Sequence, residues 1–325
     1  MRELLPKRED VRILFAHAAY RMQERFAARG TGMASVEVRS REALEREIGA
    51  ADVLVISGLW RNELLERAER LRFIQSISAG VDQYAKDALA ARGVRLASAA
   101  GANARAVAEH AMALVLALSR KLPEARDNQA KKFWRGMVGE RERREDEVGG
   151  KTMVIVGLGR IGGRLARLAK SFEMRVVGTR RDPAAGANGA DAVFGMGQLG
   201  ELLGEADYVV LCCPLTSETA GLIAAEALGR MRRSAYLVNV ARGACVDEVA
   251  LAAALEGGRI AGAALDCARE EPLGAGSALW DVPGVFITPH TAGETRAYED
   301  NVLDLMEENL ERLWRGEREL RNGVV

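Results

Sequence analysis

Three polar residues in the C-terminal half of the chain have types and positions suited to chemistry: Arg242, Glu271 and His290. Each follows an apolar, strand-like run. Arg242 comes after the run ending Val240-Ala241, Glu271 shortly after Asp266-Cys267, and His290 directly after Pro289. Histidine exchanges a proton near neutral pH. A carboxylate bonded to its second ring nitrogen would fix the tautomer and stabilise the charged ring. Arginine offers a rigid fork to a carboxylate and a carbonyl oxygen. The chain holds only 3 histidines, His17, His110 and His290. His110 lies in an apolar helical stretch and reads as a packed or interface residue. His17 stands near the end of the first strand without a nameable partner.

The elements that must position these groups centre on Thr152–Arg181. Thr152–Val156 is an apolar, β-branched run of the kind that forms a buried parallel strand. Gly157, Gly159 and Gly162 follow in a G-x-G-x-x-G pattern. Ile161, Leu165, Leu168 and Phe172 then recur on one helical face, and Arg175–Thr179 returns to strand character. Strand, glycine turn, helix and strand within about 30 residues form a dinucleotide-binding unit. The first glycine allows a tight turn, the second lets backbone approach a pyrophosphate, and the third lets helix and strand pack closely. The helix N-terminus adds N–H groups and a positive dipole end. With a nicotinamide held there, Arg242, Glu271 and His290 are equipment for hydride transfer to or from a 2-oxo acid.

Strand and helix alternate along the rest of the chain. Val11–Ala16, Val36–Val38, Val53–Ser57, Phe73–Ser78 and Val94–Ser98 read as short strands, with helical patterns between several of them, such as Glu63–Arg70. Asp207–Pro214, Ala235–Ala241, Ile260–Cys267 and Val285–Pro289 read as strands of a second unit. Val246–Glu256 reads as a helix capped by Gly257 and Gly258, and Thr295–Gly316 as a long helix. Such alternation predicts parallel sheets covered on both faces. Ligands of such sheets sit beyond the carboxyl ends of the strands. There the turn Ser78-Ala79-Gly80 is either a plain turn or a backbone cradle for a small carboxylate. Asn103–Arg120 is helical and apolar around much of its circumference, so burial or an interface is expected. The segment Asp127–Gly150 carries Trp134 and a mixed charge run, and reads as solvated surface or as an arm packing on a second subunit.

At 325 residues two domains are expected. The chain has 46 Lys+Arg against 46 Asp+Glu, which offers no basic footprint for nucleic acid. No apolar stretch approaches the length of a membrane span. The N-terminal MRELLPKRED is charged and shows no secretory signal, so a cytoplasmic location is expected. Cys212, Cys213, Cys245 and Cys267 lack metal-ligand spacing and read as buried, reduced thiols, so no metal site is expected.

VGLGRIGGRLA, PLTSET, NVARGACVDEVALAAAL, GAALDCAREEPL and LWDVPGVFITPHTAGET occur in this order. Together they resemble the D-isomer-specific 2-hydroxy acid dehydrogenases, relatives of glyoxylate/hydroxypyruvate reductases and phosphoglycerate dehydrogenases. ISAGVD and NARAVAEHA extend the resemblance into the first unit. It implies Arg242 as substrate-binding and activating, Glu271 as partner of the base, and His290 as acid/base. It implies Asp266 near the nicotinamide amide and Arg160-Ile161 at the pyrophosphate. Pro214, Thr219, Val240, Ala241, Ala292 and Gly293 fall in the matching motifs as further cofactor contacts. Ser78, Ala79 and Gly80 gain the role of carboxylate cradle. NAD-preferring members usually place an acid at the end of the second strand, to accept the ribose hydroxyls. Counting about 18 residues from Gly162 reaches Arg180 instead, with Thr179 before it and Arg181 after it. These residues suit a 2′-phosphate, so NADP is expected in preference to NAD; Asp182 is the rival reader of the ribose.

The expected fold is α/β with two doubly wound parallel-sheet domains. A Rossmann cofactor domain covers 103–290, and a smaller flavodoxin-like substrate domain covers 1–102. The C-terminal helix 291–325 crosses back to the latter. The active site is expected in the cleft between them, and the assembly as a homodimer. The expected partner is a small 2-oxo or 2-hydroxy acid, with neither nucleic acid nor membrane. A corepressor-like, nucleotide-sensing interaction protein on the same scaffold is the rival class, and the presence of all three chemical residues argues against it. Formate or phosphite oxidation is a third reading, for which no residue speaks. The loop Gly58–Asn62, with Trp60 and Arg61, is expected to shape the pocket for the substrate's side chain. Arg61 would meet a second anionic group or face solvent.

Overall fold

The apolar runs form two all-parallel sheets in the structure, a computed structural model describing residues 5–325. The first sheet has strands β1 (Arg12–Ala16), β2 (Ala34–Val38), β3 (Val53–Ile56), β4 (Phe73–Ser76) and β5 (Arg95–Ala97), in the order β2-β1-β3-β4-β5. β3 and β4 are buried at every position, as expected for central strands covered on both faces. This sheet belongs to a unit running to Asn103 and including Glu294–Val325. The helix Tyr298–Trp314 gives its apolar stripe, Val302, Met306 and Leu310, to one core with Ile13, Phe15 and Phe73. Each such buried side chain contributes about 1.5–3 kcal/mol. The fully buried Asn309 donates to Gln75 Oε1 at 3.1 Å and accepts from the Arg321 N–H at 2.8 Å, so burial leaves its amide paired.

The second sheet, in the unit Ala104–Gly293, has strands β6 (Thr152–Val156), β7 (Arg175–Thr179), β8 (Ala192–Phe194), β9 (Tyr208–Leu211), β10 (Tyr236–Asn239), β11 (Gly262–Leu265) and β12 (Val285–Ile287). Their order is β12-β11-β10-β9-β6-β7-β8, so the winding reverses between β6 and β9. That switch point is where open α/β sheets bind ligands. The helix Ala104–Ser119 packs against the helix Arg160–Ser171 through one core containing Val107, Ala111, Leu165 and Ala169.

Several local expectations change. Glu63–Arg70 is not an α-helix; only Asn62–Glu66 winds, as a 3₁₀ turn. β8 is a short, half-buried edge strand without a strong apolar run. Phe172 falls beyond the helix end and is exposed, although Leu165 of the same stripe is fully buried. Thr291–Gly293 belongs to the second unit and not to the returning segment, because Thr291 and Ala292 donate their N–H groups to Asp266. The cysteines are free: Cys213, Cys245 and Cys267 are buried and Cys212 is half-buried.

Candidate active site

Arg242 follows β10 and precedes the short turn Gly243–Cys245. Its loop is shaped by the buried Asn239, which accepts from the Ala241 N–H at 3.0 Å and donates to the Arg242 carbonyl at 3.0 Å. The guanidinium donates one N–H to the Ala241 carbonyl at 2.7 Å and keeps others available. A Cβ on Gly243 would overlap the Ala268 carbonyl, so only glycine allows this loop to lie against the segment that leads to Glu271.

Glu271 accepts from the Ala268 N–H through Oε1 at 3.0 Å, and its Oε2 lies 2.7 Å from His290 Nδ1. Both side chains are partly open, at 39% and 45%. An ionised carboxylate only accepts, so Nδ1 of His290 carries the hydrogen and Nε2 is the nitrogen left to exchange a proton. His290 has φ 55°, in the left-handed region. Its ring lines a cavity of about 650 Å³ with Asp266, Glu271, Leu273 and Trp280. Sequence reasoning passed over Trp280, whose 51% exposure only the structure shows.

Asp266 directly follows β11 and is only 2% exposed. Its Oδ1 accepts from the Thr288 hydroxyl at 2.7 Å and the Thr291 N–H at 3.0 Å, and Oδ2 from the Ala292 N–H at 3.1 Å. Burial works to raise this carboxyl, but hydrogen bonds from His110, Thr288 and Ala292, together with the His110 charge, outweigh it and hold the group below its ordinary value. The sequence reads His110 as a packed or interface residue, and the structure gives its ring polar partners. Its Nε2 lies 3.0 Å from Thr288 Oγ and 3.4 Å from Asp266 Oδ1. Only its helical position, with a polar edge on an apolar helix, hinted at this. Val240 and Ala241, just before Arg242, and Ala292 are buried, and Gly293 is half-buried.

The glycine turn opens the helix Arg160–Ser171 as anticipated. Gly157 has φ 100°, and a Cβ there would stand 2.8 Å from the Cys213 backbone. A Cβ on Gly162 would overlap the Gly157 carbonyl. A Cβ on Gly159 would meet nothing within 4 Å, so this glycine faces open space. Gly159 also has no side chain to cap the helix, whose first-turn N–H groups suit a phosphate. Arg160 is exposed and Ile161 half-buried at that turn. The pattern fits a dinucleotide: two glycines are demanded by packing and the third leaves room for a ligand.

At the end of β7 the residues divide. Thr179 is fully buried, and its hydroxyl has no partner among the described residues, so it lies inside and not on the exposed surface with the arginines. Arg180 donates from Nη1 to the carbonyls of Ala185 at 3.1 Å and Gly186 at 2.8 Å. Arg181 is exposed. Asp182 accepts from the Ala184 N–H at 3.0 Å and so caps the turn Pro183–Ala185. Asn188 ties the same loop to the glycine turn by donating to the Leu158 and Gly159 carbonyls at 3.3 and 2.8 Å. In PLTSET, Pro214 is exposed, while Thr219 is buried and donates its hydroxyl to the Pro214 carbonyl at 2.7 Å, closing the turn.

In the first unit, Ser78 donates its N–H to Ser76 Oγ at 3.2 Å, and its hydroxyl pairs with Ser57 Oγ at 2.5 Å. The N–H groups of Ala79 and Gly80 donate to nothing among the described residues, which suits an anion. Trp60 does not shape a pocket. It is 1% exposed, within the core, and donates Nε1 to Asn62 Oδ1 at 3.0 Å. Arg61 turns back and donates to the carbonyls of Gly58 at 3.1 Å and Trp60 at 2.6 Å.

Known proteins are similar to this chain in sequence and in fold. The family described as D-isomer specific 2-hydroxyacid dehydrogenase, NAD binding domain, matches residues 112–292. A D-3-phosphoglycerate dehydrogenase of Archaeoglobus fulgidus is 34% identical over 298 residues, 89% of this chain and 55% of that protein. A glyoxylate reductase of Korarchaeum cryptofilum is 36% identical over 262 residues, 78% of this chain and 76% of that protein. The chain thus spans about half the length of the phosphoglycerate dehydrogenases it matches. The crystal structure of the TT0316 protein from Thermus thermophilus superposes with a TM-score of 0.84 at 33% identity, covering 97% of this chain and 100% of that one.

Proposed function

The chain belongs to the D-isomer specific 2-hydroxyacid dehydrogenase family, and we propose that it interconverts a small 2-oxo acid and its D-2-hydroxy acid with NADP(H) in preference to NAD(H). The observation that carries this reading is the 2.7 Å contact between His290 Nδ1 and Glu271 Oε2. With Nδ1 engaged, His290 delivers a proton from Nε2 to the carbonyl oxygen in reduction and takes it back in oxidation. Glu271 holds the tautomer and stabilises the ring while it is charged. Arg242 binds the substrate and polarises its carbonyl through its remaining N–H groups. Ala79 and Gly80, with Ser78, bind the substrate carboxylate. When bound, the nicotinamide dinucleotide supplies or accepts the hydride at the carbonyl carbon. Gly157, Gly159, Arg160, Ile161 and Gly162 hold its pyrophosphate. Asp266 keeps acceptor capacity on Oδ2 for its carboxamide, beside Val240, Ala241, Ala292 and Gly293. The turn closed by Pro214 and Thr219 would contribute a further contact to the cofactor.

Coenzyme choice rests on Arg180 and Arg181. Two carbonyls orient Arg180 and leave its other donors for a 2′-phosphate. Asp182, the acid that would accept ribose hydroxyls, accepts the Ala184 N–H through Oδ1 as the cap of its turn. An assay of glyoxylate, hydroxypyruvate and larger 2-oxo acids with NADH and NADPH tests the reading. Turnover of at least one with NADPH is expected, and none with any pair would sink it.

We further propose a homodimer. Phe133, Trp134 and Met137 are 57%, 95% and 102% exposed on the segment after the apolar helix, and a run of large apolar side chains in solvent calls for a partner surface. Sedimentation showing a stable monomer at micromolar concentration would contradict this. The free cysteines fit a reducing, cytoplasmic setting. No helix among the described residues is long and apolar enough to cross a membrane.

A further inference from the structure

We propose that His110 is a positioning residue for His290, acting through Thr288 and Asp266; this rests on the acid/base reading of His290. Hydrogen accounting leads to it. The Thr288 hydroxyl has one hydrogen and gives it to Asp266 Oδ1 at 2.7 Å. Its 3.0 Å contact with His110 Nε2 must therefore be made with the ring donating. Nε2–H of His110 is then shared between Thr288 Oγ and Asp266 Oδ1, which lies 3.4 Å away. The same carboxylate accepts from the N–H groups of Thr291 and Ala292.

Asp266 thus grips the chain on both sides of His290, at Thr288 before it and at Thr291 and Ala292 after it. The grip has a purpose. His290 sits at φ 55°, a conformation that strains a residue with a Cβ and persists only where its surroundings impose it. His110 completes the grip from a fixed post. Its helix is pinned by Val107, Ala111 and Leu114 in one core with Val240, Ala264 and Ala292. Removing the His110 donor frees the Thr288 oxygen and a share of Oδ1, and the His290 segment loosens.

The test compares His110→Gln, which keeps an N–H near the position of Nε2, with His110→Leu, which does not. Hydrogen exchange of the Thr291 and Ala292 amides is read first, because it needs no turnover. Faster exchange in the leucine variant, with wild-type exchange in the glutamine variant, is expected. In NADPH-dependent reduction of hydroxypyruvate, the leucine variant should lose about tenfold in kcat, less than the roughly hundredfold cost of a full ångström's misplacement because Asp266 still holds the segment, with the KM for NADPH within about twofold. Glutamine should restore most of the loss. Unchanged exchange in the leucine variant, or a glutamine variant as impaired as leucine, overturns the proposal. A lower melting temperature with unaltered kcat and exchange would mean packing alone, and overturns it too. If the leucine variant does not fold, Thr288→Val breaks the same bridge and should speed the same exchange; no change there is equally fatal. Near-normal turnover of His290→Ala alongside the expected exchange pattern would instead overturn the acid/base reading.

Discussion

Gly243 lies against the carbonyl of Ala268 so closely that no side chain fits between them. The loop bearing Arg242 and the segment bearing Glu271 are thereby held together, although they leave different strands. Gly243→Ala should separate them. About a hundredfold loss of kcat/KM is expected, since misplacing reacting groups by about an ångström costs that much. Full activity in a folded Gly243→Ala variant would show that this contact does not set the geometry.

His290→Ala should lower turnover by about 10²–10⁴, the usual share of general acid–base catalysis. Cofactor affinity should persist, because the glycine turn is untouched. Reduction needs the proton on Nε2 and oxidation needs it gone. Glu271→Gln keeps an acceptor oxygen but loses the charge, and should cost about tenfold, less than the loss of the ring itself. Stopped-flow rates in both directions decide. A His290→Ala variant with wild-type rates at every pH would require another proton donor.

Arg180→Asp should turn preference toward NADH. The change removes a charge-assisted pairing with the 2′-phosphate and adds an acceptor for the ribose hydroxyls. The ratio of kcat/KM for NADPH over NADH should fall by at least about tenfold, the effect of losing about 1.4 kcal/mol of differential binding. A wild type that already strongly prefers NADH would refute the argument from Arg180 and Arg181.

Asp266→Asn should destabilise the protein at neutral pH, by about 1–3 kcal/mol for buried donors left facing an amide. Asp266 titrates below its ordinary value of 3.8 in the folded state, because hydrogen bonds to the ionised form outweigh its burial. Its contribution is therefore present above the unfolded value and lost as pH falls through the folded one. The gap between wild type and variant in urea unfolding should stay level from pH 7 into the mildly acid range and shrink below 3.8. A gap that widens on acidification would mean that Asp266 is held protonated.

Much of the fold was legible in the residues themselves. β6 and β7 run over Thr152–Val156 and Arg175–Thr179, as their apolar runs indicate, because a strand buried on both faces must be apolar throughout. The glycine turn was legible because Gly157 and Gly162 answer close approaches of backbone, and Gly159 leaves open space at the helix start. Arg242, Glu271 and His290 could be singled out because strand ends bear the chemistry of parallel sheets. The helix expected at Glu63–Arg70 did not form: only Asn62–Glu66 winds, as a 3₁₀ turn, with Leu64 and Leu65 buried.

What only the tertiary structure decided is where side chains separated along the chain point. His290 and Glu271 are 19 residues apart, and sequence could name them as partners but could not set 2.7 Å between Nδ1 and Oε2. His110 and Thr288 are 178 apart, and nothing local to either shows that they meet. Trp60 misleads in the same way: a tryptophan beside an arginine suggests a pocket wall, until packing buries it. Asp182 follows a strand, and only the structure shows it capping the turn Pro183–Ala185. Spacing along a chain determines which elements form, since hydrogen bonding and burial within an element depend on near neighbours. Which polar atom faces which depends on how those elements pack, and that is a property of the whole fold.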